Sequence, residues 1–64
     1  MEKGFCRMTE ASSGTQVAIN AYQVRYVRPT AEPQACAVYF DSNDCVIVAG
    51  TLDQVTLQLR SVIP

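Results

Sequence analysis

The stretch Ala35-Cys-Ala-Val-Tyr-Phe-Asp-Ser-Asn-Asp-Cys-Val-Ile-Val-Ala-Gly-Thr-Leu-Asp-Gln54 decides the fold of this chain. Ala35 to Phe40 mixes aromatic and β-branched side chains, the composition of a strand lying on a half-buried pleated surface. Asp41-Ser-Asn-Asp44 follows, and side chains of these types bond their own backbone and favour a turn. Cys45 to Ala49 is apolar and β-branched again, so the two runs read as a hairpin. Gly50 interrupts the strand, and Thr51 and Gln54 stand at the spacing of a capping box. Asp53 falls in the first helical turn, where the helix dipole favours a negative charge.

Toward the C-terminus, Leu52, Val55, Leu59 and Val62 recur at spacings of three, four and three. That is one apolar stripe of a helix over about 52–62. Leu57 lies off the stripe, roughly on the opposite side, and is a candidate contact between subunits. Toward the N-terminus the chain reads as short strands separated by turn residues: about 5–9, 15–20 and 24–28, before those at 35–40 and 45–49. Glu10-Ala-Ser-Ser-Gly14 is a turn cluster, and Asn20-Ala-Tyr-Gln23 reads as a tight corner. Pro29 and Pro33 mark a loop, because proline lacks the N–H that a strand centre needs. The expectation is an α+β fold in a single domain over 1–64, a small antiparallel sheet of about five strands with one C-terminal helix on one face. The other face of the sheet is left to solvent or to a partner.

With 64 residues the chain holds at most one domain, and a chain of this size buries only about 60% of its unfolded surface. Chains this small usually need a staple, a metal or a partner subunit. The apolar fraction is 48% and the charged fraction 17%, the latter below the usual quarter. A homo-oligomer that hides apolar surface between copies is therefore expected. The net charge of −1 offers no basic surplus for duplex nucleic acid. No apolar run has the length of a membrane span. Met1-Glu-Lys-Gly4 has no hydrophobic leader core, so a cytoplasmic location is expected.

The chain has no histidine, which removes the usual Ser-His-Asp and Cys-His catalytic sets. Cys6, Cys36 and Cys45 are odd in number and widely spaced. They do not complete a four-ligand zinc site, and in a reducing compartment they read as small buried hydrophobes. Asp41 and Asp44 read as turn formers, and the three glycines, Gly4, Gly14 and Gly50, make no phosphate loop. No catalytic residue, metal or cofactor is expected. What remains is a binding constellation: Arg25 and Arg28 bracket Tyr26, with Arg7 and Tyr39 on other strands. Guanidinium groups grip anions bidentately and aromatic rings stack on bases. An ordinary solvated face, with tyrosines packed on arginine stems, fits the same residues.

The segments Val17-Ala-Ile-Asn20, Val24-Arg-Tyr-Val27, Ala37-Val-Tyr-Phe40, Cys45-Val-Ile-Val48 and Leu52-Asp-Gln-Val55 together resemble the small bacterial FlbD/SwrD-like proteins. The resemblance spans Phe5 to Arg60 and rests on hydrophobic spacing, Asn20 and the helix start. It implies the same small β-plus-helix fold and a role in flagellar motility, with no catalytic residue to carry over. The chain departs from the family at Ser42-Asn43-Asp44, where glycine is usual, and at Ala49-Gly50, where Glu or Lys is usual. Small proteins of this rhythm also resemble bacteriophage products. Fold-level likeness does not fix function. Three functions are open at this level. The first is a non-catalytic oligomeric binding or regulatory protein, phage-encoded and inhibiting a host protein such as a defence component. The second is an oligomeric sponge for a nucleotide or other small anion, and the third a motility accessory protein.

Overall fold

The computed structural model describes residues 4–63. The elements are β1 (Phe5–Thr9), β2 (Gln16–Asn20), a short 3-10 turn (Ala21–Gln23), β3 (Tyr26–Pro29), β4 (Ala35–Asp41), β5 (Asp44–Ala49) and α1 (Leu52–Ser61). The strand and helix types match the sequence reading, with ends shifted by a residue or two.

The single sheet is corrected. The strands form two antiparallel sheets, β1–β2 and β3–β4–β5. One bridge, Glu10 to Val48, joins them, supported by the Ala11 N–H donating to the Ile47 carbonyl at 2.9 Å. The physical reason is burial. In one flat layer, a lone helix must cover every inward side chain of five strands. Here the β1–β2 hairpin and α1 share that task. Cys6, Met8 and Ile19 from the hairpin meet Cys36, Val38 and Val48 from the larger sheet and Val55 and Leu59 from α1 in one core. No polar or charged side chain among the described residues is buried.

Alternation along the strands sorts the side chains cleanly. Tyr26 pairs with Tyr39 and Tyr39 with Cys45; Arg28 pairs with Ala37 and Ala37 with Ile47. These rows face outward. Val27, Val38 and Val46, and the paired Cys36 and Val48, face the core. Pro29 closes the edge strand β3, a place where its missing N–H costs little. β4 is central and is buried from Ala35 through Val38 on both sides. Ala35 and Ala37 are buried although they point outward; Ala37 lies between the larger Arg28 and Ile47 of the adjacent strands.

The β4–β5 turn has only Ser42 and Asn43 between paired Asp41 and Asp44. Tight two-residue hairpins favour primed turns with positive φ, yet no non-glycine residue described has positive φ. A register shift between Tyr39 and Asp41 takes up the mismatch, as bulges do.

Asn20 caps the 3-10 turn, its side chain accepting from the Tyr22 N–H at 3.0 Å. Thr51 caps α1 in both directions of the capping box: the Gln54 N–H donates to Thr51 Oγ1 at 3.2 Å, and the Thr51 N–H donates to Gln54 Oε1 at 2.9 Å. Changing Thr51 to Ala is expected to lower stability by about 1 kcal/mol, read as an earlier urea midpoint with an unchanged slope. Of the apolar stripe on α1, Val55 and Leu59 are buried and Val62 packs on the core. Leu52 is corrected: it is 38% exposed. It is the first helical residue, on the turn that enters from β5, and the buried stripe begins three residues later at Val55.

Candidate functional site

The five residues singled out for binding do not form one cluster. Tyr26 and Tyr39 do meet: adjacent strands put them in one row, and their rings stack with centroids 4.7 Å apart at 10°. Arg28 follows Tyr26 by two residues, so it stands on the same outer face. Arg25 is engaged elsewhere. Its Nη1 donates to Asp41 Oδ1 at 3.4 Å, with both side chains well exposed, and such a pair contributes roughly 0.2–1 kcal/mol. Arg7 belongs to the other sheet, opposite Ala18. Asp41 also accepts from the Ser42 N–H at 2.8 Å, the local backbone bond expected of a turn aspartate.

The cysteines divide. Cys6 and Cys36 are buried, and Cys45 is exposed; all three are free thiols. The expectation that each is a small buried hydrophobe is thus corrected for Cys45, because strand parity turns it outward beside Tyr39. Burial pushes the Cys6 and Cys36 thiols above their ordinary value of 9.0. The folded chain therefore holds these two protons more tightly than the unfolded chain. Their contribution to stability is complete below that ordinary value and declines as pH rises from it toward the folded-state values. Urea midpoints taken on either side of pH 9.0 should fall on the alkaline side. In the native state, alkylation should modify Cys45 quickly and reach Cys6 and Cys36 only on unfolding.

A broad, open surface groove with apolar side chains in its lining was not visible in the sequence. It is a groove of about 540 Å³ on the outer side of β4 and β5. Ala35 and Ile47 contribute to its floor and Cys45 to one end, while Glu10–Ser12 forms one wall and Thr30–Glu32 the other. Ile47 is 37% exposed there, and Tyr26, farther along the same face, is 43% exposed.

Hydrogen bonds set both walls. At the first, the Glu10 N–H donates to the Thr15 carbonyl at 2.8 Å and the Gly14 N–H to the Glu10 carbonyl at 2.9 Å. Ser13 Oγ donates to Glu10 Oε1 at 2.7 Å. At the second, Thr30 Oγ1 donates to the carbonyls of Ala35 at 2.9 Å and Glu32 at 3.1 Å, and accepts from the Glu32 N–H at 3.1 Å.

Leu57 stands alone on the far side of α1 and is 66% exposed. With Ala49, Gly50, Gln54 and Gln58 it borders a second, smaller depression of about 380 Å³. No helix among the described residues is long and apolar enough to cross a membrane. No protein-family model, curated protein or solved structure matches this chain.

Proposed function

We propose that this chain is a non-catalytic binding protein that acts by occlusion, docking a partner protein on the outer face of β3–β4–β5. The observation that carries this reading is the bare apolar character of that face. Tyr26, Tyr39 and Ile47 lie on it with Arg28, and none of them belongs to the core that α1 and the β1–β2 hairpin close. Aromatic residues with a flat, rigid presentation are favoured anchors at protein interfaces. The inhibitory role expected from the sequence belongs to the same proposal: a bound partner is covered by this face and left chemically unchanged.

A photo-crosslinker attached to Cys45 tests it. Capture of a discrete protein is expected from this position and should fall when Tyr26 and Ile47 are both changed to Asp. Equal capture from the same label moved to the far side, in a Cys45→Ser, Thr56→Cys chain, would remove the reading.

Self-association is part of the proposal, with Leu57 as a contact. Sedimentation should give a mass above one chain at micromolar concentration, falling toward the monomer in Leu57→Lys. A monomer for the unaltered chain removes the oligomer and leaves partner docking to the crosslinking result. A second reading, capture of a small anion, is favoured by the Tyr26–Tyr39 stack with Arg28 beside it. Under that reading Arg28→Ala abolishes ligand release on denaturation, followed by mass spectrometry, while Arg7→Ala has no effect.

A further inference from the structure

The β1–β2 sheet ends in a bare edge. Past the two ends of its ladder, the Glu10 N–H donates to the Thr15 carbonyl and the Ala21 N–H to the Gly4 carbonyl, both in the register that pairs Phe5 with Asn20. Bonded and non-bonded pairs alternate along an antiparallel ladder. Met8–Val17 and Cys6–Ile19 are therefore the bonded pairs, and Gln16, Ala18 and Asn20 turn their N–H and C=O groups away from β1. Among the described residues β1 is the one strand bonded to β2.

Edges of this kind are commonly blunted by proline or by charge. The edge of β3 is an example. The Thr30 N–H donates to the Ala35 carbonyl in the β3–β4 register, so Val27 and Pro29 point outward, and Pro29 has no N–H to offer. Gln16-Val-Ala-Ile-Asn20 has no charge, no proline and no glycine. Its chemistry also reads alike in both directions: amide, aliphatic, alanine, aliphatic, amide. A two-fold axis brings one patch against its own copy, so that residue i meets j and j meets i. A strand with this palindrome satisfies that condition when it runs antiparallel to itself with Ala18 on the axis.

We propose that β2 pairs antiparallel with β2 of a second copy, making one continuous four-stranded sheet from the two hairpins. The Ala18 N–H of each copy donates to the Ala18 carbonyl of the other, and the Asn20 N–H to the Gln16 carbonyl. On the inner face Val17, half-buried against the core, packs beside the partner subunit's Ile19. On the outer face Gln16 meets the partner subunit's Asn20. Asn20 Oδ1 is taken by the Tyr22 N–H, so its amide nitrogen donates to Gln16 Oε1. Arg7 stands opposite Ala18, which keeps the two Arg7 residues three strand spacings apart, roughly 14 Å, beyond a Debye length of about 8–10 Å. The proposal rests on the self-association inferred above and assigns it a surface other than Leu57.

Sedimentation and crosslinking of the full chain test it. Ala18→Lys sets two charges face to face at the axis, and Ala18→Pro removes the central donor. Ala18 is exposed and its backbone bonds nothing in its own hairpin, so circular dichroism should be unchanged in both. Each should weaken the dimer by about tenfold or more. In a Cys45→Ser chain, Ala18→Cys should form a covalent dimer under the oxidant diamide. Directly paired residues lie about 5.5 Å apart, within reach of a disulfide. Gln16→Cys should not link, because this register sets it roughly 13 Å along the strand from its copy.

A dimer that survives Ala18→Lys overturns the proposal and leaves self-association to Leu57. Equal linking from Gln16→Cys overturns the axis at Ala18, and the proposal with it. If Ala18→Pro unfolds, Ala18→Lys and the crosslinking pair decide the outcome. A monomer for the unaltered chain at micromolar concentration removes self-association and the β2 pairing together, and partner docking on the outer face then stands or falls by the Cys45 crosslinker.

Discussion

Replacing Val38 by alanine is expected to destabilise the protein by about 2–3 kcal/mol, from two lost methyl groups at about 0.8 kcal/mol each plus the cavity they leave. Val38 is 0% exposed and sits on the central strand, between Val27 of β3 and Val46 of β5. A chain of 64 residues has a total stability of roughly 3–10 kcal/mol, so one such change removes a large share of it. Val38→Asp goes further, placing a charge in a core without a buried polar partner, and should leave the chain unfolded. The two sheets and the helix share one cluster, so loss should be cooperative. Circular dichroism and thiol exposure at Cys6 and Cys36 should report the same urea midpoint for Val38→Ala. A β1–β2 hairpin that melts separately from the rest would contradict a shared core.

Gly50→Ala is the second large effect. Gly50 joins β5 to α1 with φ +127°, a conformation that L side chains rarely adopt, and holding such backbone costs about 1–3 kcal/mol. The neighbours make the position stiffer still. The Gly50 N–H donates to the Gln34 carbonyl at 2.6 Å, and the Gly50 carbonyl accepts from Cys36 Sγ at 3.4 Å. A methyl group at Gly50 would stand 3.3 Å from Cγ2 of Val55, which is 0% exposed in the core. Relief at Gly50 must therefore shift the first turn of α1. Gly14→Ala is the control: its φ is also positive, at +72°, but nothing lies within 4 Å of the added methyl. Its smaller loss reports the backbone cost near the left-handed helical region alone, and the excess at Gly50 combines the Val55 contact with the less accessible φ of +127°. Equal losses at the two positions would show that neither the Val55 contact nor the φ of +127° adds to the cost at Gly50.

Much of this architecture was legible because its signals are local. Thr51 and Gln54 announce the helix start by a spacing that only a capping box explains. The 3.6 period picks out Val55 and Leu59, and both are buried. It fails at Leu52 because periodicity gives a direction around the helix axis but not how far the neighbouring layer extends along it. Strand parity predicts that Tyr26 and Tyr39 share a face once β3 and β4 pair, and they stack. The same parity cannot bring Arg7 to them, since it lies in the other sheet.

The amino-acid sequence by itself determined the strand, turn and helix types and the polar cap of α1. Each of these depends on residues within a turn or two of one another. Tertiary structure alone decided that five strands divide into two sheets, that Cys45 is exposed while Cys36 is not, and that the segments 10–12 and 30–32 border one groove. The junction of the two sheets turns on the Glu10–Val48 bridge, a contact between residues far apart in the chain. Its formation depends on how a small chain can cover all its apolar side chains at once, a global requirement that no local pattern encodes.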